Sequence, residues 1–269
     1  MSTEILAGPL GELRAVSTAG GGTALTSTAT RTVLPRAAKM MTLTARNFVG
    51  AAVAQVNVNP WLTIFKTTDA GLTLTDYSDN AQDGDAATDV TLSSLDTAAN
   101  LDFLYVGSHL PFSGVVVDVD AANGTASVLT VKYRKSDSTW ADISATDGTT
   151  SGGASLAIDG NVTWTVPTDW LMAAVKDTID TEAQNLGILT QPMFWTRWEF
   201  SAALDSTTTL NSMISINRST AYWELVEGQG IEEAVTVGPG GIISVTHKTD
   251  AGTGNLIINV ATRQNGRFG

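Results

Sequence analysis

Apolar and polar residues alternate with a period of two over much of the chain, which predicts strands with one buried face. Met41-Thr42-Leu43-Thr44 alternates, and Val53-Ala54-Gln55-Val56-Asn57-Val58 does so with β-branched residues. Asn59-Pro60 interrupts the second run, and Trp61 to Phe65 begins another. The pattern is densest from Leu101 to Asn217. Val115-Val116-Val117 reads as a strand buried on both faces. Leu129, Val131 and Tyr133 share one face of the next strand, opposite Thr130, Lys132 and Arg134. Val162, Trp164 and Val166 repeat the arrangement. Phe194, Thr196, Trp198 and Phe200 oppose Trp195, Arg197 and Glu199, and Leu210, Ile214 and Ile216 close the block. Asn123-Gly124, Asp147-Gly148, Gly152-Gly153 and Asp159-Gly160 are turn dipeptides between these runs. Many short strands joined by tight turns predict an all-β fold, a β-sandwich of jelly-roll-like type.

The flanks read differently. Residues 1–30, with Gly20-Gly21-Gly22 among Ser and Thr, sustain no period and predict an extended N-terminal arm. Such an arm is either a loose tail or a segment ordered against a neighbouring subunit. Residues 31–220 form the predicted sandwich, with 101–217 as its central block. Residues 221–269 carry two short alternating runs, Ile242 to Val245 and Leu256 to Val260, around Thr249-Asp250-Ala251-Gly252. They predict a small C-terminal β-hairpin module, too small to hold a core alone. Thr68-Asp69-Ala70-Gly71 repeats the same turn letters without aligned flanks. One segment, 168–183, lacks strand alternation. Thr168 can cap a short helix there, with Trp170 and Ala174 on one face, and an ordered loop competes with that reading.

Composition narrows the function classes. The chain has 269 residues, 43% hydrophobic and only 16% charged, enough for a buried core and too apolar for disorder. Its formal charge of -12 repels phosphate backbones and anionic lipid, so nucleic-acid and membrane-surface partners are not expected. There is no cysteine, which removes disulfides and thiolate metal sites. Met1-Ser2-Thr3-Glu4-Ile5-Leu6 lacks the basic and apolar regions of a signal peptide, and no window reaches about 18 consecutive apolar residues. Synthesis in a cytoplasm is expected.

Candidate chemistry is sparse. Asp76, Asp79, Asp83, Asp85 and Asp89 lie in one loop. Ca²⁺ takes about six to eight oxygen ligands, so this loop is its one candidate site, yet the spacing departs from an EF-hand and suits a solvated acidic loop. The only histidines, His109 and His247, have no metal-ligand spacing, and no Gly-x-Ser-x-Gly elbow accompanies them. His109 reads as a strand-end residue. No phosphate-cradling glycine motif is present. Asp118 and Asp120 share a strand face. A glycosidase needs two acids about 5 to 10 Å apart in an aromatic cleft, whereas two acids running into Asn123-Gly124 suit a solvated strand end. Arg197, between Trp195 and Trp198, is either a guanidinium on indole at a ligand groove or a packed, paired strand arginine. No catalytic, cofactor-binding or metal residue is assigned.

Taken together, Phe112-x-Gly114, Asn123, Leu129-x-x-x-Tyr133, Trp140, Asp147-Gly148-Thr149, Gly152-Gly153, Gly160-x-x-x-Trp164, Pro167-x-x-Trp170 and Phe194-Trp195-x-Arg197 resemble β-sandwich domains in virion structural proteins of tailed bacteriophages. The resemblance covers residues 101–217. It implies a cofactor-free, non-enzymatic virion protein, most simply a capsid decoration or surface protein, that is made in the host cytoplasm and acts by homo-oligomeric assembly. The implied partners are its own copies and other virion proteins such as the major capsid protein. A tail or fibre part, or a carbohydrate- or receptor-binding module using Trp140, Trp164 and Trp198 as platforms for a host-surface glycan, is the alternative.

Overall fold

The alternating runs become strands that divide between two bodies. The computed structural model describes residues 13–15, 22–68, 73–83, 85, 87–93, 95, 101–175, 191–217 and 223–261. Among these every regular element is a strand, and the sheets are built from antiparallel pairs. The all-β sandwich class is thus observed. The chain separates into unit 1, made of Met1–Asn59 with Arg218–Gly269, and unit 2, Pro60–Asn217.

In unit 1, β1 (Leu13–Ala15) and β2 (Thr23–Leu25) pair with successive parts of β21 (Gly254–Ala261). β21 pairs β4 (Met40–Arg46), which pairs β19 (Gly230–Ala234). The second sheet runs β18 (Trp223–Leu225), β5 (Ala54–Pro60), β20 (Ile242–Thr249), β3 (Thr30–Val33). Both sheets feed one core: Met41, Leu43 and Ile258 from the first, Val56, Val245 and Leu225 from the second. From β2 to β5, and again from β18 to β21, the chain changes sheet at every step.

Unit 2 repeats the two-sheet plan. One sheet runs β12 (Trp140–Asp142), β11 (Leu129–Arg134), β16 (Met193–Phe200), β9 (Leu104–Ser108), β6 (Thr63–Thr68), β7 (Thr73–Asp76), with β15 (Met172–Ala173) also on β16. The other runs β13 (Thr146–Asp147), β14 (Gly160–Thr163), β10 (Gly114–Ala121), β17 (Thr209–Ile216), β8 (Val90–Thr91). Val131, Trp198 and Phe200 from the first sheet meet Val115, Val162 and Leu210 from the second in one core. Register slips at Asp118/Val119 and Val119/Ala121 bend β10 against β17, so that Leu210 and Met213 face inward.

Several expectations are corrected. The three-part division into 1–30, 31–220 and 221–269 gives way to the two units, because 22–59 and 223–261 share sheets and a core. Within 1–30 the described strands are not a free arm: β1 and β2 pair with β21 of the same chain, and Leu25 is 2% exposed in the core of unit 1. The 221–269 segment is not a hairpin module, since β20 and β21 lie in different sheets and the turn at 249–252 arches between them. Asn59-Pro60 does not break the strand, which runs through Pro60. Of the two readings of 168–183, short helix or ordered loop, no helix forms over 168–175, where Trp170 bridges Lys135 and β15 follows; 176–183 lies outside the described residues. So does the 69–72 turn.

Unit 2 enters and leaves unit 1 through neighbouring points. Trp223 of β18 pairs Val56 of β5, so unit 1 presents the two chain ends side by side. Within unit 2 the Ser215 hydroxyl donates to the Pro60 carbonyl at 2.5 Å, which ties its last strand to its first residue. This is the geometry of an inserted domain.

Candidate functional site

The tryptophans that looked available to a ligand are mostly core. Trp164 is 7% exposed, and Trp195 and Trp198 are fully buried. Two of the polar edges are used locally, Trp164 Nε1 donating to the Phe112 carbonyl at 2.9 Å and Trp198 Nε1 to Thr196 Oγ1 at 3.1 Å, whereas Trp195 Nε1 is buried without a partner among the described residues. Thr196 Oγ1 in turn donates to the Val106 carbonyl. Trp170, placed on a helix face by the sequence, packs beside Phe112, Tyr133 and Phe194 and donates to the Trp195 carbonyl. Of the proposed sugar platforms only Trp140 remains half-exposed.

Arg197 sits at the centre of a second aromatic cluster, on the other face of the β16 sheet. The cross-strand register aligns Lys132, Arg197, Tyr105 and Phe65 in one row. Phe65 and Tyr105 stack with centroids 4.8 Å apart, and Trp195 meets Phe65 edge-on at 5.4 Å. The Arg197 guanidinium lies 4.4 Å from the Phe103 ring and 4.9 Å from the Trp140 ring. Its Nε and Nη2 reach one oxygen of Glu199, at 2.8 and 2.5 Å, while Lys132 Nζ holds the other at 2.8 Å. Burial pushes the Tyr105 hydroxyl well above the usual phenol range despite the nearby guanidinium. Both rings and both carboxylate oxygens are engaged, so the arginine is a paired and packed strand residue and not an open ligand group. The cluster also fixes a glycine: a Cβ on Gly107 would overlap the Trp195 indole.

Five of the carboxylates singled out for chemistry hold turns and strand ends, while Asp89 Oδ1 is buried without a hydrogen-bond partner among the described residues. Asp118 accepts from Asn211 Nδ2 at 3.1 Å and Asp120 from the Thr209 hydroxyl at 2.9 Å, both exposed beside the β10 bulge. In the acidic loop, Asp76 accepts from the Ser78 amide and hydroxyl, Asp83 from the Asp85 amide and the Thr88 hydroxyl, and Asp85 from the Ala87 amide. These are Asx turns. No group of three or more His, Asp or Glu side chains is placed to hold a metal among the described residues. His109 follows β9 at the strand end and is half-buried.

The structure adds groups that sequence reasoning passed over. Lys66 is 5% exposed on the core side of β6, donates to the Thr91 carbonyl at 2.7 Å, and lies 5.6 Å from the Tyr77 ring. Burial lowers its ammonium, and the Asp102 carboxylate partly restores it. The clue was its even spacing from Ile64, which puts both on one face. Asn123 is 1% exposed and organises a loop, accepting from the Thr125 and Asp205 amides and donating to the Thr125 and Ser155 carbonyls. His247 is 1% exposed in unit 1 and is bonded to Thr32.

Comparison of the chain with protein-family models, with curated proteins and with solved structures finds no match.

Proposed function

We propose that the chain is a non-enzymatic structural component of a tailed-phage virion, a capsid decoration or surface protein that works by oligomeric assembly. The observation that carries this reading is the insertion of one rigid sandwich into another. Unit 1 contributes the first and last described strands to a single sheet, and unit 2 is looped out between two paired strands of the other sheet. A chain built so that one folded body carries a second is suited to attachment through the first and presentation of the second. The side chains that invited catalytic or sugar-binding readings are engaged in turns, ion pairs and core packing, which supports assembly over turnover.

Light scattering of the purified full-length chain, with negative-stain images and antibody labelling of phage particles from the same source, tests the reading. A closed symmetric oligomer, with a mass that is an integer multiple of 28.1 kDa and label on the particle surface, supports it. A monodisperse monomer absent from particles contradicts it. Label confined to tails supports the tail or fibre placement instead.

A further inference from the structure

Unit 1 places a histidine where strand alternation asks for an apolar residue. β20 turns Val245 and His247 to the buried face, and His247 is 1% exposed. Its Nε2 lies 2.9 Å from the Thr32 hydroxyl on β3, while Nδ1 is buried with no hydrogen-bond partner among the described residues. Burial alone lowers the imidazole to about 4. Among the described residues the surrounding strands offer no counter-charge. Arg31 of β3 and Lys248 of β20 fall on the opposite sheet face by alternation. Arg46 of β4 and Asp250 are exposed, the latter accepting from the Val53 amide at 2.8 Å. β2, β5 and β21 carry no ionisable side chain.

A second proton on this ring would be a buried, unpaired charge, which the fold must hydrate or expel. Two strands flank β20, and they are not equally held. β5 lies inside the sheet and sends Ala54, Val56 and Val58 to the core. β3 is a four-residue edge strand whose side chains are half-buried or exposed, with Val33 at 51%. Moving β3 hydrates the imidazolium at the least loss of packing.

We propose that His247 is an acid-operated latch on the edge strand: when the imidazole gains a second proton, β3 detaches from β20 and leaves the β20 edge open. An open edge presents unpaired backbone groups to another strand. The latch is independent of the virion reading.

Hydrogen exchange at pH 7.5 and 4.5, corrected for intrinsic chemistry, tests it in the full chain. If the ring returns to its ordinary 6.5 when β3 leaves, the opening constant of β3 rises on the order of 70-fold between these pH values. Protection at residues 30–33 should fall by that order while β4 keeps its own, and His247→Gln, which stays neutral, should abolish the pH dependence. An NMR titration of the wild-type His247 imidazole guards against a variant that fails to fold. Equal protection of β3 at both pH values overturns the latch, as do parallel losses in β3 and β4 or a His247 titration near 6.5 with β3 unmoved.

Discussion

The two units share a two-sheet plan but fill and close it with different residues. Unit 1 has a largely aliphatic core, built from Leu, Ile, Val, Met and Ala with Phe48 at its margin. Unit 2 is packed around rings: Phe112, Trp164, Trp170, Trp198 and Phe200 between its sheets, and a second ring cluster beyond them. The charges divide even more sharply. Of 27 acidic residues, 20 lie in unit 2, which has only 6 of the 15 basic ones, so unit 2 carries -14 and unit 1 +2. Eighteen of those 20 are aspartate, whereas unit 1 has a single aspartate, Asp250. Aspartate is short enough to accept from the amide two residues on, and unit 2 uses it that way at Asp76, Asp83, Asp137, Asp142 and Asp147. The acidity of the chain is therefore concentrated in one unit, and part of it is turn chemistry. Read that way, it calls for no cationic partner.

If the units are separate bodies, a core truncation should lower only one of them. Trp198→Ala empties a fully buried indole site and should cost unit 2 about 3–5 kcal/mol. Calorimetry should show one transition moving and one unmoved, and a joint shift would break the distinction. Acid should act in the opposite sense. The His247 imidazole sits at about 4 in the fold against its ordinary 6.5, so the unfolded chain binds the proton more readily. Its contribution is complete above pH 6.5 and is lost as pH falls through 4, about 3 kcal/mol in all. Urea titrations at pH 7 and 4.5 should show unit 1 weakening first.

Smaller effects sharpen the same contrast. Gly107→Ala forces a methyl against Trp195 and should destabilise unit 2 by about 1–3 kcal/mol without touching unit 1, measurable as a shifted urea midpoint. The smallest effect belongs to carboxylates near the surface that accept from loop hydroxyls and amides. Asp205 is held below the usual carboxylate range by the Thr125 hydroxyl and the Gly124 amide, and Asp137 by Thr139. Their contribution is present above the ordinary carboxylate pKa and is lost as pH falls through the lowered pKa of the fold. Asp205→Ala should lower the unit 2 midpoint slightly at pH 7, and by progressively less as pH falls through the lowered pKa of the folded state.

Strand alternation made the two-layer class readable, and the faces of β11 and β16 follow the residue pattern. The domain plan was not readable, because nothing at Asn59-Pro60 or near Asn217 marks an insertion. A contiguous reading therefore merges 31–59 with the wrong body. Thr249-Asp250-Ala251-Gly252 suits a hairpin and an arch alike, and only the partners of β20 and β21 decide between them. β15 is two residues long, too short to show a period, which is why 168–183 looked helical. The setting of Arg197 was equally hidden: Phe103 and Trp140 are remote in sequence and meet it only through the pairing of β9, β11 and β12 around β16. The buried state of His247 was also invisible until β3 was known to flank it.

The insertion itself can be tested by expressing Pro60–Asn217 alone. If unit 2 is a self-contained sandwich, the excised chain should give dispersed NMR spectra, a native near-ultraviolet signal from its buried indoles and one cooperative unfolding transition. A loosely packed product that keeps strand content but loses the indole signal would contradict the two-body account.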